Sequence, residues 1–186
     1  LIVHDNPYSF IRNAEAPISI MEAEGAREVA LEMNSLSKGH SMAGWRVGVV
    51  VGKKEWIDSI LTFKSNMDSG MFYPIQLPPK ALALGEDWFK ELNAIYYGRE
   101  RQAYALLDAL GCRYREHQAG LFVWAELPED YERSFAFSDE VMEKCDVFLT
   151  PGGISVGGNR YIRITLCCPE ELLKRATDNV KAAFGR

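Results

Sequence analysis

The sequence predicts an α/β protein in which short apolar strands alternate with amphipathic helices. Three segments carry this prediction. Val47–Gly52 is rich in β-branched residues, which favour a strand. Lys53–Lys64, which follows directly, has apolar residues at helical spacing. A longer helical pattern covers Glu86–Leu110 and stops at Gly111, a residue type that commonly follows the last turn of a helix.

The first part of the chain contains further short elements. Leu1–His4 is typical of a short, fully buried strand in a parallel sheet. A short helix is expected through Glu22–Arg27, and the strand Val29–Met33 then leads into a glycine-containing loop. The polar residues and chain breakers of Ser65–Pro74 predict a loop.

Helices and strands continue beyond residue 74, where we place the boundary between a first part, 1–74, and a second, 75–186. Helices are expected over Ile75–Leu84 with Pro78-Pro79 at its entry, over Phe135–Lys144 with Ser138 as N-cap, and from Pro169 to Phe184. Strands are expected over Cys112–Glu116, Leu121–Leu127, Val147–Thr150 and Tyr161–Leu166. The long helix would join the two parts.

Composition excludes several classes of function. The net charge is −5 and basic residues are scattered, which argues against nucleic-acid or anionic-membrane binding. No apolar run reaches the roughly 18 residues of a membrane span. The four cysteines lack metal-ligand spacing, so we expect no metal site and reduced thiols in a cytoplasmic protein.

The stretch Ser35–Gly48 carries the clearest chemistry. It combines the hydroxyls of Ser35 and Ser37, the amine of Lys38 and the guanidinium of Arg46. Hydroxyls and a guanidinium suit a phosphate group, and a lysine amine can form an imine with an aldehyde. The set therefore indicates a phosphorylated aldehyde as ligand, and pyridoxal phosphate is the biological example.

The pattern Ser-x-Ser-Lys, followed eight positions later by Arg, resembles the cofactor-lysine motif of class I/II (fold-type I) pyridoxal-phosphate aminotransferases. The resemblance implies that Lys38 forms the imine and that Ser35, Ser37 and Arg46 hold the phosphate. It also implies that residues 1–74 are the C-terminal portion of the cofactor-binding large domain, with a mainly parallel sheet. Residues 75–186 would then be the interdomain helix and the small α+β domain.

Two further resemblances extend the site. Asp5-Asn6-Pro7-Tyr8 alone predicts only a turn. The family, however, has an Asp-x-x-Tyr pair at a strand end about thirty residues before its lysine. There Asp5 would keep the ring nitrogen protonated and Tyr8 would donate to the ring oxygen.

An arginine on the alternating strand Tyr161–Leu166 has a family counterpart that holds the substrate α-carboxylate. This implies that Arg163 binds the substrate. Arg160, three positions earlier, is the rival for that role. The alternative for Arg163 is an exposed arginine on an edge strand.

The implied activity is transfer of an amino group between an amino acid and a 2-keto acid, in a cytoplasmic homodimer. No histidine is required, because the amine of Lys38 can move the substrate α-proton. His4 is expected to tune Asp5, which follows it. In the family, the loop at Ser65–Pro74 reaches towards the partner subunit.

Other readings stay open. A β-lyase (C–S lyase) or a cyclase would use the same residues, and the substrate is not assigned beyond a loose similarity to aromatic, alanine and diaminopimelate-type aminotransferases. Leu1-Ile2-Val3 is typical of the inside of a strand, so we expect the chain to be the C-terminal half of a longer protein. It would then be a fragment that is inactive, or that binds the cofactor weakly, by itself.

Overall fold

The computed structural model describes residues 1–13, 18–76 and 83–185. They form two compact units that meet in sequence between Leu92 and Asn93, inside the long helix. The α/β class is confirmed. The sequence placed the boundary ahead of this helix, near residue 74, and the assignment of the two parts to domains stays a prediction.

The first unit contains a three-stranded sheet in the order β1 (Ile2–Asp5), β2 (Ala30–Ser35), β3 (Gly48–Gly52). The central strand β2 pairs in parallel with β1 and antiparallel with β3. Asp5 lies opposite Met33 in the parallel register. Because paired parallel strands run in the same direction, β1 and β2 end at the same edge of the sheet.

The first unit also contains helical segments of different lengths. They are a 3₁₀ turn at Ile20–Glu22, α1 (Ala26–Val29), α2 (Leu36–Gly39), a 3₁₀ turn at Ala43–Trp45, α3 (Lys54–Asp68), α4 (Tyr73–Gln76) and the start of α5 (Glu86–Leu110). The long helix therefore begins and ends where the sequence pattern predicts. The single helix expected through Glu22–Arg27 is wrong, because Gly25 adopts a positive φ of 74° and separates the 3₁₀ turn from α1.

The prediction that Leu1–His4 is fully buried is also wrong. Ile2 and Val3 are 53% and 54% exposed. The reason is that β1 is an edge strand that pairs with β2 alone, so its apolar composition does not lead to burial among the residues described. The strand itself and its parallel pairing are as expected.

The loop predicted at Ser65–Pro74 is wrong in part, because α3 continues to Asp68 before Ser69 ends it with a positive φ. The side-chain amide of Asn66 donates to the Thr62 carbonyl at 2.8 Å, one turn earlier. Asn66 therefore bonds within the helix, although the polar residues of this segment predicted a loop. Ile75 and Gln76 lie in α4, and residues 77–82 of the helix expected over Ile75–Leu84 lie outside the described residues.

The second unit contains an antiparallel sheet in the order β4 (Arg113–Tyr114), β5 (Phe122–Glu126), β7 (Tyr161–Thr165), β6 (Thr150–Pro151). Helices α6 (Ser134–Cys145) and α7 (Glu170–Phe184) belong to it, together with the larger part of α5. Pro169 is the N-cap of α7, as the sequence predicts. The predicted strand Val147–Thr150 is wrong in its bounds, because the pairing with β7 begins only at Thr150.

The core of the second unit lies between this sheet and its helices. On β7, Ile162 and Ile164 point into the core, whereas Arg163 points to the opposite face and stays half-buried, which confirms the predicted alternation. Helices α5 and α7 contribute Leu107 and Val180, which are completely buried. The apolar periodicity of both helices therefore corresponds to real core packing.

Ser138 is not an N-cap. Helix α6 begins earlier, at Ser134, so that Ser138 lies in the second turn, where it is buried. Its hydroxyl donates to the Leu149 carbonyl. The residue satisfies a backbone acceptor outside its own helix, which sequence pattern alone does not reveal.

Candidate functional site

The turn that carries Asp5 and Tyr8 is attached directly to β2. The backbone N–H of Asn6 donates to the Met33 carbonyl at 2.8 Å, which extends the parallel ladder one residue past Asp5. Asp5 itself is exposed at the strand end. Ligands of open α/β sheets bind outside the carboxyl ends of strands, and this turn lies at such an edge.

The loop that carries Lys38 begins at the same edge, at the end of β2. Ser35 is the N-cap of α2, and its hydroxyl oxygen accepts from the Ser37 N–H at 3.1 Å. The Ser35 hydroxyl also donates to the Val47 carbonyl at 3.4 Å, and the Leu36 N–H donates to the same carbonyl at 3.1 Å. These bonds close the loop against the residue that precedes β3.

Lys38 and Tyr8 lie side by side. The Nζ atom of Lys38 is 5.9 Å from the centroid of the Tyr8 ring, and the lysine side chain is half-buried. At this distance an ammonium group interacts weakly with the face of the ring. The structure thus brings together two of the predicted site residues that are thirty positions apart in sequence.

The first turn of α5 contacts the lysine loop and the segment around Phe10. The indole N–H of Trp88 donates to the Gly39 carbonyl at 2.8 Å. Phe89 stacks on Phe10 with 4.6 Å between ring centroids, and a Cβ atom on Gly39 would lie 3.4 Å from Phe10. The residue after Lys38 therefore sits in a close-packed aromatic environment, which restricts the loop.

Arg46 adopts a positive φ of 55° just ahead of β3, and it is exposed. Its guanidinium donates to the Ala43 carbonyl at 3.2 Å. The structure places Arg46 at the far end of the same loop, and an exposed guanidinium retains donors for an anion.

A residue that the sequence analysis missed is Glu32, which is buried in the middle of β2. Its carboxylate accepts from the Ser19 hydroxyl at 2.5 Å, from the Ile20 N–H at 2.9 Å and from the Asn6 amide at 3.4 Å. The signal was present in the sequence, because a charged residue inside an apolar strand must find partners when it is buried.

The pKa of the Glu32 carboxyl reflects these partners. Burial raises the pKa, but the hydrogen bonds from Ser19, Asn6 and Ile20 and the charge of His4 lower it, and the result lies below the ordinary value of 4.5. His4 approaches this carboxylate, with its Nδ1 atom 3.8 Å from the Glu32 Oε2 atom. Since neighbouring strand residues point to opposite faces, His4 faces Glu32, whereas the side chain of Asp5 lies on the other face of the sheet.

Arg163 belongs to the second unit, where its guanidinium carbon lies 4.4 Å from the Phe122 ring centroid on the outer face of the sheet. Its rival, Arg160, is used internally: its guanidinium donates to the Tyr131 carbonyl at 2.6 Å and to the Leu127 carbonyl at 3.3 Å. These bonds fix the segment around β5 and α6. Arg163 is therefore the better placed of the two to contact a ligand.

The described residues hold neither a metal-binding cluster nor a membrane-spanning helix. Within residues 1–13, 18–76 and 83–185, no group of three His, Cys, Asp or Glu side chains is arranged to hold a metal ion. Over that same part of the chain, the helices lack the combination of length and apolar character required to cross a bilayer.

Comparison with known proteins decides the family. The sequence model described as aminotransferase class I and II matches residues 1–180. The chain belongs to this family. The match includes every site residue that the sequence analysis proposed, from Asp5 to Arg163.

Relatives of this aminotransferase chain include LL-diaminopimelate aminotransferases. That of Dehalococcoides mccartyi strain 195 is 40% identical over 177 residues, which are 94% of this chain and 45% of the relative. That of Halothermothrix orenii is 40% identical over 184 residues, 97% of this chain and 47% of the relative. The chain thus spans a little under half the length of these relatives.

Solved structures agree with the sequence comparison. Substrate-bound BacF from Bacillus subtilis matches with a TM-score of 0.89 and 32% identity, covering 97% of this chain and 47% of that one. An aminotransferase from Staphylococcus aureus matches with a TM-score of 0.85 and 30% identity, covering 98% and 49%. The fold of each unit is therefore that of the matching part of these proteins.

The lowered pKa of Glu32 predicts a pH-dependent contribution to stability. A carboxyl whose pKa is depressed on folding stabilises the native state above its unfolded pKa, about 4.3, and loses that effect as pH falls through the folded value. In urea denaturation, the free energy of unfolding of the native protein minus that of Glu32→Gln should not decrease from pH 7 to about pH 5. Below pH 4.5 it should shrink.

The charged groups around Glu32 are His4 on β1 and, lining the same surface cavity, Arg27, Glu28 and Lys53. Glu28→Gln is the matched control, because this exposed carboxylate contacts Lys53 alone among the residues described. A stability difference between the native protein and Glu32→Gln that stays flat down to pH 3 would contradict the assignment of an ionised, hydrogen-bonded Glu32.

Proposed function

We propose that this chain is part of a pyridoxal-phosphate-dependent aminotransferase, which moves an amino group between an amino acid and a 2-keto acid. The observation that carries the proposal is the parallel pairing of β1 with β2, which brings the turn of Asp5 and Tyr8 to the edge where the Lys38 loop begins. Membership of the aminotransferase class I and II family supports it.

The residues at this edge fit the cofactor in their chemistry. The phosphate requires hydrogen-bond donors and positive charge, which the hydroxyl of Ser37 and the guanidinium of Arg46 supply. The Ser35 hydroxyl adds a donor when it rotates away from the Val47 carbonyl, to which it bonds at 3.4 Å. The aldehyde requires an amine, which is that of Lys38. The pyridine nitrogen requires an acid, and Asp5 lies exposed at the strand end. When bound, pyridoxal phosphate acts as an electron sink that makes a substrate α-proton removable.

Each side chain then has a defined task. The Asp5 carboxylate holds the proton on a pyridine nitrogen, since a nearby negative charge favours the protonated form of a base. The Tyr8 hydroxyl donates to a ring oxygen. The amine of Lys38, which lies beside the Tyr8 ring, would take a proton from the substrate α-carbon and deliver it to the C4′ carbon of the cofactor.

The second unit contributes the substrate carboxylate site in this proposal. A guanidinium can donate two parallel hydrogen bonds to a carboxylate, and Arg163 presents its guanidinium on the outer face of the sheet. The Phe122 ring beneath it restricts the orientation of the planar group. Arg160 is already bonded to backbone carbonyls and is assigned a structural role.

The relatives named as LL-diaminopimelate aminotransferases support a diamino dicarboxylic acid as the amino donor. LL-diaminopimelate is therefore the first substrate to assay, against a panel of 2-keto acids. Keto-acid-dependent amino transfer would distinguish an aminotransferase from a β-lyase or a cyclase, which release their products without an amino acceptor.

We also propose that the complete protein is a cytoplasmic homodimer. The end of α3 and the residues after it expose large apolar side chains: Leu61, Phe63, Met67, Phe72 and Tyr73. Exposed apolar clusters of this kind commonly mark surfaces that are covered in an assembly. Light scattering on the complete protein would give twice the monomer mass.

Lys38 should carry the cofactor in the complete protein. When the complete protein encoded by the gene is incubated with pyridoxal phosphate and reduced with borohydride, peptide mass mapping should find the cofactor mass on Lys38. Lys38→Ala should abolish this labelling and lower activity by at least about 1,000-fold, because the same amine also moves the proton. Lys54→Ala is the control, because Lys54 is an exposed lysine on α3.

Cofactor mass on another lysine, or unchanged turnover in Lys38→Ala, would contradict the proposal. The 186-residue chain should be labelled far more weakly than the complete protein, since it spans less than half the length of its relatives. Equal labelling of the two would show that the site is complete within this chain.

Arg163 should determine the affinity for the amino acid. Arg163→Lys should raise KM for the amino acid by about 10- to 100-fold, because an ammonium group cannot form the bidentate bond. Borohydride labelling of Lys38 should be unaffected. Arg160→Lys should instead lower thermal stability and leave KM nearly constant, since Arg160 bonds to backbone carbonyls. If the two variants exchange these effects, Arg160 is the substrate residue.

A further inference from the structure

Glu32 is a buried charge that the proposed chemistry does not use. It lies on β2 directly opposite His4 in the parallel register and is 8% exposed. Burying a carboxylate is costly unless several donors satisfy it. A strand residue with no catalytic task would normally be apolar here, so the charge calls for a separate explanation.

The hydrogen bonds of Glu32 join three separate segments. One carboxylate oxygen accepts from the hydroxyl of Ser19 and from the N–H of Ile20. The other oxygen accepts from the side-chain amide of Asn6. That same amide also donates to the Ile18 carbonyl at 3.2 Å. The carboxylate is thus the point where β2, the turn after β1 and the segment around Ile18–Ile20 meet.

Asn6 is held to β2 twice, by its backbone N–H on the Met33 carbonyl and by its side chain on Glu32. It lies between the two residues that would govern the cofactor ring, Asp5 and Tyr8. The strand that carries Glu32 leads three residues later into the Lys38 loop. A rigid link at Asn6 therefore fixes the ring-binding turn relative to the lysine.

We propose that Glu32 is a positioning residue, whose carboxylate holds the Asp5–Tyr8 turn in register with the Lys38 loop through Asn6. This rests on the proposed function, because Asp5, Tyr8 and Lys38 form the site whose geometry Glu32 maintains. Glu32 touches neither substrate nor cofactor. Its effect reaches the site through the turn.

The link requires a carboxylate and not merely a polar group of the same shape. A carboxylate offers two acceptor oxygens, and three donors converge on them. In Glu32→Gln, one oxygen can still serve Ser19 and Ile20, but the new NH₂ group would face the NH₂ group of Asn6. The substitution therefore breaks the link to the turn and keeps the link to the other segment.

The experiment uses the complete protein with Glu32→Gln, Asn6→Ala and the double variant, and Glu28→Gln as control. In the cofactor-free protein, hydrogen exchange of the backbone N–H of residue 6 should accelerate about 10-fold or more in each of the three variants. Exchange at Val49 in β3 should not change, because this residue pairs with Asn34 on the other side of β2. Asn6→Ala provides a second test should Glu32→Gln fold poorly.

With pyridoxal phosphate, the midpoint of the pH-dependent absorption of the bound cofactor should shift in the same direction in Glu32→Gln and Asn6→Ala. The value of kcat should fall about 10- to 100-fold, because small misplacements of reacting groups are costly, whereas KM for the amino acid should change less than threefold. The double variant should be no worse than Asn6→Ala, since that substitution already removes the amide that bonds to Glu32.

Additive losses in the double variant, or an unshifted absorption midpoint with native exchange at Asn6, would overturn the positioning role. A native protein that shows no borohydride-fixed cofactor on Lys38 would instead contradict the proposed function. In that case, the exchange rate at Asn6 still decides whether Glu32 holds the turn.

Discussion

The parallel pairing of β1 with β2 is the constraint on which the candidate site depends. Two residues far apart in sequence, Asp5 and Lys38, approach one edge of the sheet only because both strands end there. An antiparallel arrangement, or a shift of the register, would carry Asp5 away from the lysine loop or turn it to the other face. The chemistry of the site is thus a consequence of backbone pairing before any side chain is considered.

The two units differ in how their apolar residues are used. The second unit has a closed core, in which the alternating residues of β5 and β7 pack against helices α5, α6 and α7. In the first unit, β1 and α3 leave large apolar side chains exposed, and the buried carboxylate of Glu32 accepts three hydrogen bonds. These bonds join separate segments of the first unit.

Sequence reasoning succeeded where a periodic pattern reports directly on local structure. It gave both ends of the long helix, the alternation of β7 and, through the lysine motif, the family of the chain. It failed where long-range packing decides: Ile2 and Val3 are exposed on an edge strand, and the Ser138 hydroxyl bonds outside its helix. Glu32 was missed because its partners come from two segments that no local pattern connects to β2.

The most direct test of the account is an experimental structure of the complete protein with pyridoxal phosphate bound. The account predicts a single cavity in which the carboxylate of Asp5, the hydroxyl of Tyr8 and the amine of Lys38 surround the cofactor ring, with Ser35, Ser37 and Arg46 around its phosphate. Side chains of Asp5 and Lys38 that open onto unrelated surfaces, with no cavity in common, would contradict it.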